Sequence, residues 1–203
     1  MKKLLLTLIA IVGISLSSNA QFRYGPTAGV DINTLKFSQP LIGVDQTVGE
    51  QAGVQCELMF PGIGFGIDFG LMYNQRGATL HLNDQPVWAS TYSAPVRSYL
   101  HYIDLPIHLR FKWTRLNGFE EKLAPYVFGG PDFSFLAAHN RITALNYAGG
   151  CFGLTCGIGA EIFKHWQLQG SYTWGMSYAV KTIVLDDFTA RSRQWSVRLT
   201  YLF

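Results

Sequence analysis

A small set of acidic and histidine side chains near the ends of the predicted strands could perform acid–base chemistry. These are His81, Asp84, His101, Asp104 and His139, and Ser90, Ser93 and Ser98 supply hydroxyl groups in the same part of the chain. A nucleophile needs a base within hydrogen-bond reach, and a third group must hold that base. No serine, histidine and acid fall on adjacent predicted strands with matching inward parity. The sequence therefore favours a protein that is not an enzyme.

Metal and cofactor chemistry finds equally little support in the sequence. The histidines are not paired at ligand spacing, and Cys56, Cys151 and Cys156 have no metal-site spacing. The glycines alternate with other residues and form no Gly-rich phosphate loop. We therefore expect no metal and no cofactor. Strand parity places Cys56 and Cys156 outward, either as small surface residues or as a disulfide or reactive thiol.

The composition argues against both a nucleic-acid partner and a soluble globular protein. Without Lys2 and Lys3 the chain has 14 Lys and Arg against 13 Asp and Glu, a net charge near zero. The basic isoelectric point of the whole chain is therefore no indication of nucleic-acid binding. Charged residues make up 14%, against about 25% in soluble domains. Aromatic residues also reach 14%, and there are 21 glycines. Such a chain has too few charged residues for the surface of a soluble globular domain.

The N-terminal segment has the three parts of a secretory signal peptide. Lys2 and Lys3 form its charged region, residues 4–16 its apolar region, and Ser18, Asn19 and Ala20 a small-residue cleavage site. The apolar run is shorter than the roughly 20 residues of a spanning helix, which disfavours a membrane anchor. We expect residues 1–20 to be a signal peptide and residues 21–203 to form one exported domain.

Beyond this segment the apolar residues alternate with small or polar ones, as in β-strands. The clearest segment sets Leu168, Tyr172 and Trp174 against Gln167 and Gln169. Comparable segments are expected around residues 22–30, 54–60, 65–73, 99–113, 124–138, 152–162, 167–178 and 194–203, with a bulge at residues 129–131 because Pro cannot donate to a ladder. In lipid, only helices and closed barrels satisfy every backbone group. The fold class is therefore all-β, a transmembrane antiparallel up-and-down β-barrel of about eight strands.

The connections between these segments alternate in length. Short turns are expected at Pro61-Gly62, Asn117-Gly118 and Lys164-His165, and longer links at about 32–49, 77–98, 139–149 and 180–190. Short periplasmic turns and long extracellular loops are typical of outer-membrane barrels. The last segment ends in Tyr201 and Phe203, which resemble the C-terminal aromatic signal read by the barrel assembly machinery. We therefore expect this machinery and outer-membrane lipid as partners, and the outer membrane as location.

Charged residues of both signs share the inward face of the predicted barrel. A lumen network is expected from Glu57, Asp68, Asp104, Arg110, Lys112, Glu161 and Arg198, with Arg23, Asp31 and Arg76 on the same face. An interior of eight strands is just wide enough for side chains to fill it, and buried charges must be paired. The network is expected to plug the lumen, with Glu57, Asp68 and Glu161 pairing to Arg110, Arg198 and Lys112. A narrow solute channel is the alternative.

The link before the fourth segment is apolar for a solvated loop. Leu82, Val87, Trp88 and Tyr92 could fold over the barrel mouth, or they could dock a protein partner or the lipopolysaccharide surface.

The order of several short motifs resembles the PorT-type family of small outer-membrane barrels, which is related in architecture to OmpA-like barrels. These motifs are residues 102–106, residues 125–130, residues 157–161, the strand around Tyr172 and the aromatic ending. The resemblance implies a secretion-associated or docking component and, with it, secretion-complex partners. A barrel enzyme that hydrolyses lipid A remains the competing hypothesis.

Overall fold

The computed structural model describes residues 21–37, 43–60, 62, 64–81, 94–114, 122–140, 142, 145–182 and 189–203. The signal peptide expected at residues 1–20 and the apolar residues Leu82, Val87, Trp88 and Tyr92 lie outside these ranges. Among the described residues, no helix is long and apolar enough to cross a membrane.

The described residues form eleven antiparallel strands, of which eight are long. The long strands are β1 (Gln21–Phe37), β3 (Thr47–Met59), β4 (Phe65–His81), β5 (Val96–Lys112), β6 (Leu123–His139), β8 (Gly150–Ile162), β9 (Trp166–Gly175) and β11 (Thr189–Tyr201). Each long strand pairs with its neighbour in this order, and β1 also pairs with β11, so the sheet closes into a barrel. The predicted antiparallel eight-stranded barrel is confirmed.

Three short strands extend the sheet at one end of the barrel. They are β2 (Gly43–Asp45), β7 (Leu145–Tyr147) and β10 (Val180–Thr182). β2 pairs with β4, while β10 pairs with both β11 and β7. Because the tight turns lie at the other end, we call the end that carries these short strands extracellular.

Side chains alternate between the lumen and the outer surface along every long strand. On β11, for example, Gln194, Ser196 and Arg198 are buried inside, whereas Trp195 and Val197 are exposed outside. Closure pairs each of the eight long strands on both sides. The apolar outer face suits a lipid environment, in which no backbone group can be left unpaired. Aromatic pairs such as Trp166 and Tyr201, with ring centroids 4.9 Å apart, lie near the periplasmic strand ends.

Several strands run further toward the extracellular end than the alternation predicts. β1 continues to Phe37 and β4 to His81, where the sequence pattern predicts loops. The reason is that the pattern inverts there. Leu35 and Leu80 face inward and are buried, while Lys36 and His81 face outward.

The bulge expected at residues 129–131 is not found there. β6 keeps one register with β8 from Leu123 to Phe135, and its register with β5 is the same on both sides of Pro131. The shift lies instead between His101 and Tyr102 of β5. Pro131 is tolerated without a bulge because the ladder to β5 has no pairing at this position.

Candidate functional site

The lumen contains most of the chemistry-bearing side chains, and they form three layers along the barrel axis. The periplasmic layer is ionic, the middle layer is polar with scattered charges, and the extracellular layer is apolar. The ionic layer comprises Arg23, Glu57, Asp68, Arg110, Lys112, Glu161 and Gln167. Three cations and three carboxylates balance one another in this layer, so their charges cancel locally.

Glu57 is the centre of the ionic layer. Its carboxylate accepts hydrogen bonds from Arg23 Nη2 at 2.5 Å, Lys112 Nζ at 3.2 Å and Gln167 Nε2 at 2.5 Å, and a further one from Arg110 Nη1. Its side chain is completely buried. A buried carboxylate with this many donors is held by the strands that supply them, since β1, β5 and β9 each contribute at least one donor.

Arg110 connects the remaining members of the layer. Its Nε donates to Asp68 Oδ2 at 2.7 Å, and its guanidinium carbon lies 4.0 Å from the ring centroid of Tyr126. Glu161 accepts from Arg23 Nη2 at 2.6 Å and from Lys112 Nζ at 2.8 Å. The layer therefore spans the lumen from β1 to β8 through direct contacts between charged groups.

The middle layer contains separate small clusters rather than one network. Asp104 accepts from Arg76 Nη2 at 2.6 Å and from Asn74 Nδ2 at 2.9 Å. His108 Nε2 lies 2.9 Å from Asp132 Oδ1, and Thr155 Oγ1 donates to the other oxygen of Asp132. Asn74, Arg76, Asp104 and Asp132 are among the residues that line a cavity of about 20 Å³, which has room for one water molecule.

Arg198 differs from the expected pairing. The sequence suggests that it pairs with Glu57, Asp68 or Glu161, yet it lies in the middle layer with Nη1 3.5 Å from Met72 Sδ. Arg23 takes the expected role and bridges Glu57 and Glu161. The parity of Arg198 is inward as expected, but on β11 it lies two residues toward the extracellular end from Thr200, the register partner of Gln167.

The extracellular layer is a hydrophobic cluster that closes the mouth of the barrel. It comprises Leu35, Ala78, Leu80, Leu100, Tyr102, Ile142, Ala179, Val180 and Ala190, all of them almost completely buried. Tyr102 lies where this cluster meets the middle layer. Arg76 lies over the ring of Tyr102 at 5.0 Å, and the Tyr102 hydroxyl is 3.6 Å from Cys151 Sγ. The sequence pattern missed this layer because it lies where the alternation inverts.

The histidines proposed for acid–base chemistry each contact other residues, although His101 and His139 occupy adjacent register positions on β5 and β6. His81 Nε2 is 2.8 Å from Asp45 Oδ2 at the extracellular rim, whereas His101 faces outward and its Nδ1 is 2.6 Å from the hydroxyl of Tyr73. His139 stacks on Tyr147 with ring centroids 4.1 Å apart. Asp104 and Ser98 face the lumen, and Asp84, Ser90 and Ser93 lie outside the described residues. Among the described residues, His, Cys, Asp and Glu form no group of three or more that could hold a metal.

The lumen network expected from the sequence leaves out two important residues. Asp132 is the partner of His108, and Gln167 donates to both Glu57 and Glu161. Inward parity is the signal that would have found them. Asp132 follows Tyr126 and Phe128 at even positions of β6, and Gln167 precedes Gln169 at odd positions of β9.

A closed eight-stranded barrel with an apolar outer face and a charge-balanced interior defines the class of small outer-membrane β-barrels. The chain belongs to the family described as the outer membrane protein beta-barrel domain, whose sequence profile matches residues 17–179. No curated protein sequence shows significant similarity to it.

Several solved structures of small outer-membrane barrels are similar to this chain, and the fold is shared with the first of them. The outer membrane protein OprG of Pseudomonas aeruginosa is 11% identical, with 91% of this chain and 95% of OprG covered at a TM-score of 0.54. Neisserial surface protein A is 12% identical, with 92% and 100% covered at 0.49. Ail of Yersinia pestis is 14% identical, with 90% and 99% covered at 0.47. Family and fold together place the protein in the outer membrane.

Proposed function

We propose that this protein is a non-catalytic outer-membrane barrel with a plugged lumen, which acts as a structural or docking component at its extracellular end. The filling of the lumen is the observation that supports this proposal. Arg110 and Glu57 pair in its periplasmic layer, and Leu80, Leu100 and Val180 pack in its extracellular layer. A solute would have to break buried ion pairs and then displace a packed apolar cluster.

At its extracellular end, the barrel acts as a docking component in protein secretion. The resemblance to the PorT-type family supports it, as does the apolar character of residues 82–92, because exposed apolar clusters often mark interaction sites. The partner would be a protein of a secretion complex. The plugged lumen fits this role, since a docking component needs a rigid frame and no pore.

We expect that replacing residues 82–92 with a Gly-Ser segment of equal length leaves the barrel folded and abolishes binding of any secretion-complex protein. The measurement is affinity purification from crosslinked outer membranes, with heat-modifiable gel migration to verify folding. As a matched control, Ile183, Leu185 and Phe188 of the other apolar link are changed to Ser. If the variant with the Gly-Ser segment keeps every partner that the control variant keeps, residues 82–92 are not the docking site of those partners.

A lipid hydrolase is the second candidate, and one contact favours it. His81 and Asp45 form a pair at the extracellular rim that resembles a general base held by a carboxylate. The mass of lipid A from cells that make the protein distinguishes the two functions. We expect an unchanged mass. Loss of an acyl chain that requires His81, His101 or His139 would establish the enzyme and overturn the non-catalytic proposal.

A further inference from the structure

Four cations lie together on the outer surface of the barrel at its extracellular end. Lys36 lies next to the end of β1, Arg191 and Arg193 lie near the start of β11, and Lys181 of β10 is the register partner of Thr189. Lys36 and Arg191 are register partners, so their side chains are neighbours on the same face. We call these four residues the basic rim. Three of them line a cavity of about 310 Å³ with Phe37 and Thr189, and none of these lining residues is acidic.

Among the described residues, no ion pair neutralises the positive charge of the basic rim. Each ion pair found among the described residues involves other cations, namely Arg23, Arg76, Arg110, Lys112 and two histidines. In the part of the chain that the structure describes, the rim therefore offers its donors to an external anion. Arginine is suited to phosphate because its planar guanidinium can donate two parallel hydrogen bonds.

An apolar groove of about 760 Å³ lies on the same outer surface, across β1, β11, β9 and β8. Its walls include Ile158, Trp174 and Trp195, and its floor is Gly170. The neighbouring outward positions of β9 are the large residues Leu168 and Tyr172, so the missing side chain at Gly170 creates the depression. A Cβ atom at Gly170 would meet no other atom within 4 Å, which means that the space beside it is open.

The aromatic wall is held in place by ring contacts. The ring centroid of Tyr172 lies 4.5 Å from that of Trp174 and 4.6 Å from that of Trp195. Trp195 is 61% exposed and thus offers its ring to the groove. Aromatic side chains of this kind are enriched where the membrane interior meets the headgroup layer.

The groove continues directly into the basic rim. Outward residues of β11 read Arg191, Arg193, Trp195 and Val197 from the rim to the groove. Consecutive outward residues on a strand are roughly 6.6 Å apart. Arg193 is therefore the next outward residue after Trp195 toward the extracellular end. On β1 the register partners of Trp195 and Val197 are Ile32 and Val30, which line the same groove.

We propose that this face binds a phosphorylated lipid of the outer leaflet. The basic rim holds a phosphate of the headgroup, and the groove holds an acyl chain. Charge complementarity and the order of the two surfaces along the strands carry the assignment, because the cations lie at the extracellular end and the groove lies toward the membrane centre. In the outer leaflet, a bisphosphorylated lipid A has both chemical parts in this order.

A second copy of the chain fits the face less well. Two barrels in one membrane that met through this face about a two-fold axis would have their basic rims at the same depth. The four cations of each copy would then oppose those of the other, which is unfavourable. A lipid phosphate neutralises the positive charge of the basic rim, whereas a second copy of the chain would double that charge at the interface.

Binding of bisphosphorylated lipid A to the full-length mature barrel in detergent, measured by native mass spectrometry, tests the proposal. The double variant Arg191→Gln/Arg193→Gln should bind it at least roughly tenfold more weakly, because two charge-assisted contacts are lost. Gly170→Leu should weaken it as well, because the leucine fills the groove. Lipid A without phosphates should bind equally to wild type and to the double arginine variant.

Two controls match these variants. Ala52→Leu adds similar bulk at an exposed outward position on β3, and Arg97→Gln removes an exposed arginine at the start of β5. Both should bind lipid A as the wild type does. The proposal is overturned if the test variants bind like the controls, which would indicate unspecific surrounding lipid, or if Gly170→Leu alters only the oligomeric state. Heat-modifiable migration of each variant verifies that it is folded.

Discussion

Replacing Arg110 with Met is expected to lower the free energy of unfolding of the refolded barrel by about 3–5 kcal/mol. Arg110 is only 1% exposed, and its guanidinium contacts Glu57, Asp68 and the ring of Tyr126. The substitution leaves two carboxylates close together in a lumen from which bulk water is excluded. The cost arises chiefly from Asp68, which loses its ion pair, whereas Glu57 keeps Arg23 and Lys112. Methionine fills much of the volume of the arginine, so lost packing contributes less.

Urea titration in detergent or lipid vesicles measures this effect. Arg97→Met serves as a control because Arg97 is exposed at the extracellular rim, where it lies over the ring of Tyr99. Its change should stay within about 0.5 kcal/mol, as for most surface substitutions. Adding Asp68→Asn to Arg110→Met should recover part of the loss by removing the carboxylate that lost its ion-pair partner. Equal stability of Arg110→Met and Arg97→Met would mean that the ionic layer does not hold the barrel together.

Changing Phe203 to Ser is expected to reduce the amount of protein in the outer membrane several-fold while barely altering the stability of refolded protein. Phe203 is 66% exposed, and its amide donates to the carbonyl of Tyr24 at 2.9 Å, a bond that the substitution preserves. Among the described residues, the aromatic rings close to that of Phe203 are those of Tyr24 and Tyr201, with centroids 6.0 and 5.2 Å away. We propose that β11, with Tyr201 and Phe203, is the segment that the assembly machinery recognises.

Quantitative immunoblotting of outer-membrane fractions, compared with urea titration of refolded protein, separates assembly from stability. Phe65→Ser is the control, since Phe65 is an exposed aromatic residue at the periplasmic start of β4 that pairs with Phe111 at 4.9 Å. It should cost a similar amount of stability with a smaller loss of assembled protein. Wild-type levels of Phe203→Ser would argue against a role in assembly.

The sequence predicts the membrane-embedded part of the fold well, because there the environment imposes a simple rule. Lipid requires apolar residues outside, and a narrow lumen tolerates small and polar ones inside. Leu168 and Tyr172 therefore identify β9, and Gln167 and Gln169 identify its inner face. The same rule places Glu57 and Arg110 in the lumen before any coordinates are known.

Where the barrel leaves the lipid, the rule reverses, and the prediction fails with it. Leu80 is buried in the mouth while His81 faces outward, so the alternation inverts and the segment looks like a loop. Register between layers is also hidden from sequence. Arg23 and Arg198 have the same inward parity, yet only the strand stagger decides that Arg23 reaches Glu57. The groove at Gly170 depends on four strands, β1, β11, β9 and β8, and has no signature in any one of them.

The central claim is that the lumen is closed by its own side chains, and conductance of the purified barrel in planar lipid bilayers tests it most directly. An eight-stranded barrel has an interior that side chains can fill, and here the ionic layer around Glu57 and the apolar cluster around Leu80 fill it at opposite ends. We expect no steady conductance from wild-type protein that is folded by heat-modifiable migration. A steady, large conductance at low voltage would contradict the plugged lumen and establish the solute channel instead.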